Sequence, residues 1–285
     1  MHWIIPPWSF RIISYVNYLS SIESFLLHHS SFFVSIESIT QSIDRMKKAS
    51  GTYATIIQHA CLKTKFKPRP IPSIFMFPGL SSPNPVLPND IVSKHFNKYV
   101  EALTSNHDVI LKEYHDLRKL SNDDYTLGKD EHKLHKGGSW QWNSYILKGD
   151  RKVDFACQCP RTVEILEGNG NLMADTPFAY SFFSTLSSNS KIDKHSGPCN
   201  LRIRCHYPLI VPDGDVGMTV GNELVKWEVG KPIFFDDAYE HEVWNNTNKE
   251  RVVLLFDVWH PDLEYDEIEA IKDLFLYMKE NKQSS

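Results

Sequence analysis

The sequence has no uninterrupted apolar run that could cross a bilayer, no block of like charge and no regular cysteine spacing, and each absence removes a class of function. The most apolar stretch is N-terminal, "MHWIIPPWSFRIISYVNYLSSIESFLLHHSSFFVSI". Pro6, Pro7, Arg11 and Glu23 interrupt it short of the ~18 apolar residues that a spanning helix needs. It also lacks the charged start, compact apolar centre and small-residue cleavage site of a secretory signal. Lys and Arg number 31 against 35 Asp and Glu, a net charge of −4 with no long basic run, so nothing points to nucleic acid as a partner. Five cysteines, an odd number and widely spaced, do not make a disulfide framework. Cys157 and Cys159 form C-x-C rather than the C-x-x-C of zinc and redox sites, and read as small hydrophobes. The sequon Asn245-Asn246-Thr247 carries no weight for secretion, because such triplets arise by chance.

What is present is ordinary for a globular chain of 285 residues: 41% apolar, 23% charged and a somewhat rich 12% aromatic, which suits a β-dominated core. Residues 1–66 read as an N-terminal extension, partly helical, that could associate with a membrane surface. The Pro-rich run "KFKPRPIPS" marks the boundary, and residues 67–285 form the main domain. From Ile91 to Leu103 apolar residues recur at helical spacing, with Asn89 or Asp90 as cap, and a second helix runs from about Asp108 to Leu120. After Gly138 the texture changes to short aromatic and β-branched segments with turn residues between them. About eight strands at that spacing predict a sandwich or barrel, closed by an amphipathic helix over "DEIEAIKDLFLYMKENK".

Two clusters carry the chemistry. In the strand Leu201 to Val211, Arg202, Arg204 and His206 alternate with apolar residues and so share one face. That face is either a solvated basic edge or a polar barrel interior holding an anion, since a buried Arg must be paired. The second cluster is "FFDDAYEHEVWNNTNKERVVLLFDVWHP". A hairpin turning near Asn246 would set His241 across from Arg251, and a His beside an Arg asks for an anion between them. Asp236 reads as a turn former. Asp237 is the better functional candidate, as an acceptor behind a ligating imidazole or a bound water. His260 reads as structural, and His132 and His135 as a surface loop. His195-Ser196-Gly197 has the position of a His-x-Asp/Glu iron pair, but glycine stands at the carboxylate slot.

Taken together, "HSGP…LRIRCHYPLIVP", "W-x-x-G-K-x-x-x-FDD-x-x-x-HEVWN" and "R-x-x-x-x-x-DVWHP" resemble the aspartyl/asparaginyl β-hydroxylase family, over roughly Phe77 to Leu263. The resemblance implies a mainly β fold, a double-stranded β-helix of jelly-roll or cupin-like type, preceded by helices and closed by one. It implies an Fe(II)- and 2-oxoglutarate-dependent dioxygenase that hydroxylates an unactivated C–H bond with O₂ as cosubstrate. Iron in this family is held by two histidines without a carboxylate, so Gly197 fits the pattern. Carried over by motif, His195 and His241 are the metal ligands, and Arg251 with Ser184 takes the far carboxylate of 2-oxoglutarate. Arg204 and His206 contact the carboxylate beside the keto group, Asp237 lies behind the metal, and Trp140 lines the substrate mouth. The favoured substrate is the β-carbon of Asp or Asn in a peptide or protein. The alternatives are a lipid acyl chain, a cupin-like metalloenzyme without 2-oxoglutarate, or a β-helix binding module without turnover. The sequence departs from the family at "SSNSKID", which replaces a Pro-Gly turn before His195, and at Pro208, which requires a strand edge or bulge.

Overall fold

In a computed structural model, the described residues are 70–82, 84–120, 123–124 and 134–282. The N-terminal extension, its expected helices and His132 lie outside them. Three helices come first: α1 (Asn89–His95), α2 (Asn97–Ser105) and α3 (His107–Leu120). The periodicity predicted one helix from Ile91 to Leu103, but the backbone leaves helical geometry at Phe96 (φ −128°, ψ 10°). The break lets the buried Phe96 ring stack on Phe234, with centroids 4.7 Å apart. The expected side-chain cap at Asn89 or Asp90 is not formed. Pro88 holds the N-cap position in extended geometry, and Asp90 sits in the first turn, where its charge complements the helix dipole.

The β part comprises β1 (His135–Lys136), β2 (Trp140–Leu147), β3 (Asp150–Arg151), β4 (Tyr180–Leu186), β5 (Ser190–His195), β6 (Arg202–Ile210), β7 (Val216–Val220), β8 (Glu223–Val225), β9 (Ile233–Phe235), β10 (His241–Asn245) and β11 (Arg251–Trp259). Helices α4 (Val153–Gln158) and α5 (Pro160–Glu167) sit between β3 and β4, and α6 (Tyr265–Lys282) follows β11. All strand pairs are antiparallel and form two sheets, in the orders β1-β5-β10-β7-β8 and β3-β2-β4-β11-β6-β9. This is the expected jelly-roll with helices.

The larger sheet is covered on both faces. On β6 and β11, Ile203, Cys205, Tyr207, Leu254, Phe256 and Val258 face the helices, where they pack with Tyr99, Leu103, Ile110, Tyr114 and Leu117. Those helical residues recur every three or four positions and so present one stripe to the sheet. Val253 and Leu255 point the other way, into a second core between the sheets with Phe182, Ile192, Met218, Phe235 and Val243. Strand β11 is therefore buried along its whole length, which is why its sequence reads as a continuous apolar run rather than an alternation. Pro208 sits where the β6–β11 register shifts, between Val252 and Val253, a bulge that tolerates the missing N–H.

Two expectations about this part are corrected. The segments "HEVW" and "ERVVLLFDVW" do not make a hairpin: β10 pairs with β5 and β7, β11 with β4 and β6, so the connecting turn crosses from one sheet to the other. Asn245 holds that crossing, its Nδ2 donating to the carbonyls of Leu186, Ser187 and Lys249. It is fully buried there, which closes the sequon to modification in the folded chain. His135 is no loop residue either; it is buried in the short strand β1, paired with Ile192 on β5.

Candidate functional site

His195 ends β5 and His241 begins β10, directly opposite each other across the strand pair. Their ring centroids are 4.2 Å apart. The Asp193 carbonyl lies 2.8 Å from His195 Nδ1 and the Tyr239 carbonyl 2.9 Å from His241 Nδ1. A carbonyl can only accept, so both Nδ1 atoms carry the proton and both Nε2 atoms keep a lone pair. Burial lowers the pKa of both rings, that of His241 to about 3, and keeps them neutral. Neutral, backbone-oriented imidazoles are the donor type that divalent transition metals take. The residues therefore fit a metal held by two Nε2 atoms. Among the described residues no third His, Cys, Asp or Glu completes a cluster with them.

Gly197 leaves room for something else. A Cβ at that position would lie 2.6 Å from the carboxylate of Asp237, whose main-chain carbonyl also accepts the Gly197 N–H at 2.6 Å. Asp237 is fully buried and held by Arg202 (Nη2 2.5 Å, Nε 3.1 Å) and Arg204 (Nη1 3.1 Å). Arg204 also grips Asp257 through Nε and Nη2 at 2.8 and 2.9 Å, and Arg202 Nη1 reaches Asp257 at 3.0 Å. Two arginines and two aspartates thus form a closed, charge-balanced box behind the histidines. Against the desolvation that opposes them, the two guanidiniums hold the Asp237 carboxyl far below the usual range. Arg202, Arg204 and His206 do share a face, and it is the inward one. Asp236 forms its turn, accepting the Ala238 N–H at 2.9 Å and the Ser82 hydroxyl.

On the opposite sheet Arg251 is 1% exposed, and among the described residues no carboxylate pairs with it. Its Nη1 donates to the Ser184 carbonyl and hydroxyl at 3.2 and 3.3 Å, while Nε has no acceptor among the described residues. Burial alone pulls its pKa down to about 9. Its charge rests on the face of Trp227, 4.9 Å from the ring centroid. His206 is buried nearby with an unpartnered Nδ1, and desolvation followed by the Arg251 charge lowers its pKa well below normal. Trp140 is 7% exposed, and its indole N–H donates to Ser184 Oγ at 2.9 Å. Trp227 was not singled out from sequence, although it opens the "W-x-x-G-K" motif; only the fold brings it under Arg251.

The fold and this donor set define a jelly-roll protein with a two-imidazole pocket on one sheet and an unbalanced guanidinium on the other. Residues 104–261 match the sequence profile of the Aspartyl/Asparaginyl beta-hydroxylase family. The chain belongs to that family. It is 32% identical over 210 residues to the human aspartate beta-hydroxylase domain-containing protein 2, covering 72% of this chain and 54% of that protein. Over 124 residues it is 42% identical to an ornithine lipid ester-linked acyl 2-hydroxylase of Rhizobium tropici, covering 42% of each. Among solved structures, a Burkholderia pseudomallei oxidoreductase described as of the 2OG-Fe(II) oxygenase family aligns with TM-score 0.37 at 12% identity, over 57% of this chain and 91% of that one. The chain spans about half the length of the domain-containing relatives it matches. No helix among the described residues is long and apolar enough to cross a membrane.

Proposed function

We propose that the chain is an Fe(II)- and 2-oxoglutarate-dependent dioxygenase that hydroxylates an unactivated C–H bond, with the β-carbon of an Asp or Asn residue in a peptide or protein as favoured target. The observation that carries this reading is Arg251, a buried cation without a carboxylate among the described residues, on the sheet opposite the one that holds the two imidazoles. Leaving such a charge uncompensated costs several kcal/mol, so its retention points to an anionic ligand. A 2-oxo dicarboxylate answers both halves, with its keto acid end toward His195 and His241 and its far carboxylate on Arg251 and Ser184.

In this reading His195 and His241 hold iron through Nε2. Iron held there would supply, with O₂ and 2-oxoglutarate, the oxidative chemistry that no side chain offers, with succinate and CO₂ as coproducts of hydroxylation. His206 and the two N–H groups that Arg204 has left after its ion pairs meet the carboxylate beside the keto group. Asp237, whose carboxylate Gly197 lets lie close, would be the acceptor beside the two imidazoles. Trp140, on β2, fixes the Ser184 hydroxyl with its indole N–H and would stand between the far-carboxylate site and the substrate. The catalytic unit is residues 67–285, with 1–66 as an extension able to meet a membrane. A lipid acyl chain is the second reading, supported by the 42% identity with the acyl 2-hydroxylase.

The test is conversion of 2-oxoglutarate to succinate with Fe(II) in air, comparing the native chain with His241→Ala. Turnover that disappears in the variant supports the reading. A well-folded native chain that makes no succinate with peptide or lipid candidates would overturn it in favour of a binding module.

A further inference from the structure

Trp227 lies between β8 and β9, 5% exposed, with the Arg251 guanidinium on its face and the His206 ring 6.0 Å away. Its indole N–H is buried and has no acceptor among the described residues. Buried tryptophans usually find one, because an unmet N–H loses its hydration for nothing. The Nε of Arg251 and the Nδ1 of His206 are buried and unpartnered in the same cluster. Nearby, the Trp140 N–H is committed to Ser184 Oγ and Arg251 Nη1 to the same residue.

We infer that Trp227 is a second recognition element for the carboxylate that pairs with Arg251, its ring face steadying the guanidinium and its indole N–H donating to the bound anion. The inference rests on Arg251 being a carboxylate anchor. It explains why a tryptophan is used there. A phenylalanine would offer the cation a similar π face, and a leucine would fill apolar space, but neither brings a donor. An anion with two oxygens can accept from both Arg251 and Trp227, which turns a point-charge contact into an oriented one.

The experiment uses the full chain loaded with Zn(II), which does not cycle redox states, and titrates 2-oxoglutarate by calorimetry. Trp227→Phe keeps the ring and removes the donor. It weakens 2-oxoglutarate binding about tenfold to a hundredfold, the worth of one hydrogen bond to a charged acceptor. In turnover with Fe(II) it raises KM for 2-oxoglutarate and leaves kcat largely unchanged. In the native chain, the one indole ¹⁵N–H resonance that is absent from the Trp227→Phe spectrum shifts when 2-oxoglutarate is added. Binding by the native chain with equal binding by Trp227→Phe and no indole shift overturns the inference and leaves the dioxygenase reading standing. No binding by the native chain removes both.

Discussion

Replacing Arg251 by methionine should make the ligand-free protein more stable while abolishing its response to 2-oxoglutarate. The guanidinium is 1% exposed, and burial lowers its pKa from 12.5 to about 9, a difference of 3.5 units. At 1.36 kcal/mol per unit, that is a penalty of about 5 kcal/mol on the charged form. Because the folded pKa lies below the unfolded one, the penalty is fully present below about pH 9 and relieved only as pH rises from there toward 12.5. Methionine removes it, but also removes the bonds to Ser184 and the contact with Trp227, together worth about 2–4 kcal/mol. The net gain is about 1–3 kcal/mol, or roughly 2–10 °C in Tm for a domain of this size. Scanning calorimetry at pH 7, with and without Zn(II) and 2-oxoglutarate, measures both halves. The native chain gains stability from the ligand by mass action and the variant does not. An Arg251→Met protein less stable than native would mean that the cation is compensated in the fold and does not await an anion.

Three further outcomes follow from the site. Gly197→Ala puts a Cβ 2.6 Å from the Asp237 carboxylate, which the two arginines hold in place, so it should cost about 1–3 kcal/mol in urea unfolding; an unchanged midpoint would show that the box yields freely. Asp237→Asn leaves Arg202 and Arg204 sharing only Asp257 in a buried setting, and a loss of about 3–5 kcal/mol is expected; a Tm within 2 °C of native would contradict the closed box. Asp236 is 2% exposed, and desolvation raises its pKa from 3.8 to about 6, so its charge destabilises the fold above that pH and the effect fades as pH falls toward 3.8. Asp236→Asn should therefore gain up to about 3 kcal/mol at pH 8 and nothing at pH 4, and a pH-independent difference would count against that cause.

Much of this was legible in the sequence, and the parts that were not have identifiable causes. The alternation of Arg202, Arg204 and His206 with Ile203, Cys205 and Tyr207 fixes which side chains travel together, since strand geometry leaves no choice. It does not say that the charged side turns inward. That depended on helices α2 and α3 covering the apolar side, which one strand cannot reveal. The local signals after β10, a polar turn between two β-rich segments, are those of a hairpin. The sheet crossing is enforced by distant partners, β5 and β7 on one side and β4 and β6 on the other. Strand β5 itself was missed because "SKIDKH" has one apolar residue, Ile192, to point into the core. Helices α4 and α5 were missed for a related reason: the first turn of α5 is capped from outside, the Glu113 carboxylate on α3 accepting the N–H groups of Arg161 and Thr162 at 2.9 Å. His195 came from motif, His241 from motif and from a hairpin register that the fold does not have, and the tautomers that make both donors came from two backbone carbonyls.

The sheet crossing between β10 and β11 has a mechanical meaning. His241 and Arg251 are only ten residues apart in the chain, yet they belong to opposite walls of the sandwich. A ligand gripped by the histidines at one end and by Arg251 at the other is a tie-rod between those walls. The Asn245 clamp at the turn ties the two walls together beside it. Occupancy should therefore be felt far from the pocket, as slower amide exchange along β5, β7 and β11 together, because the walls can no longer part independently.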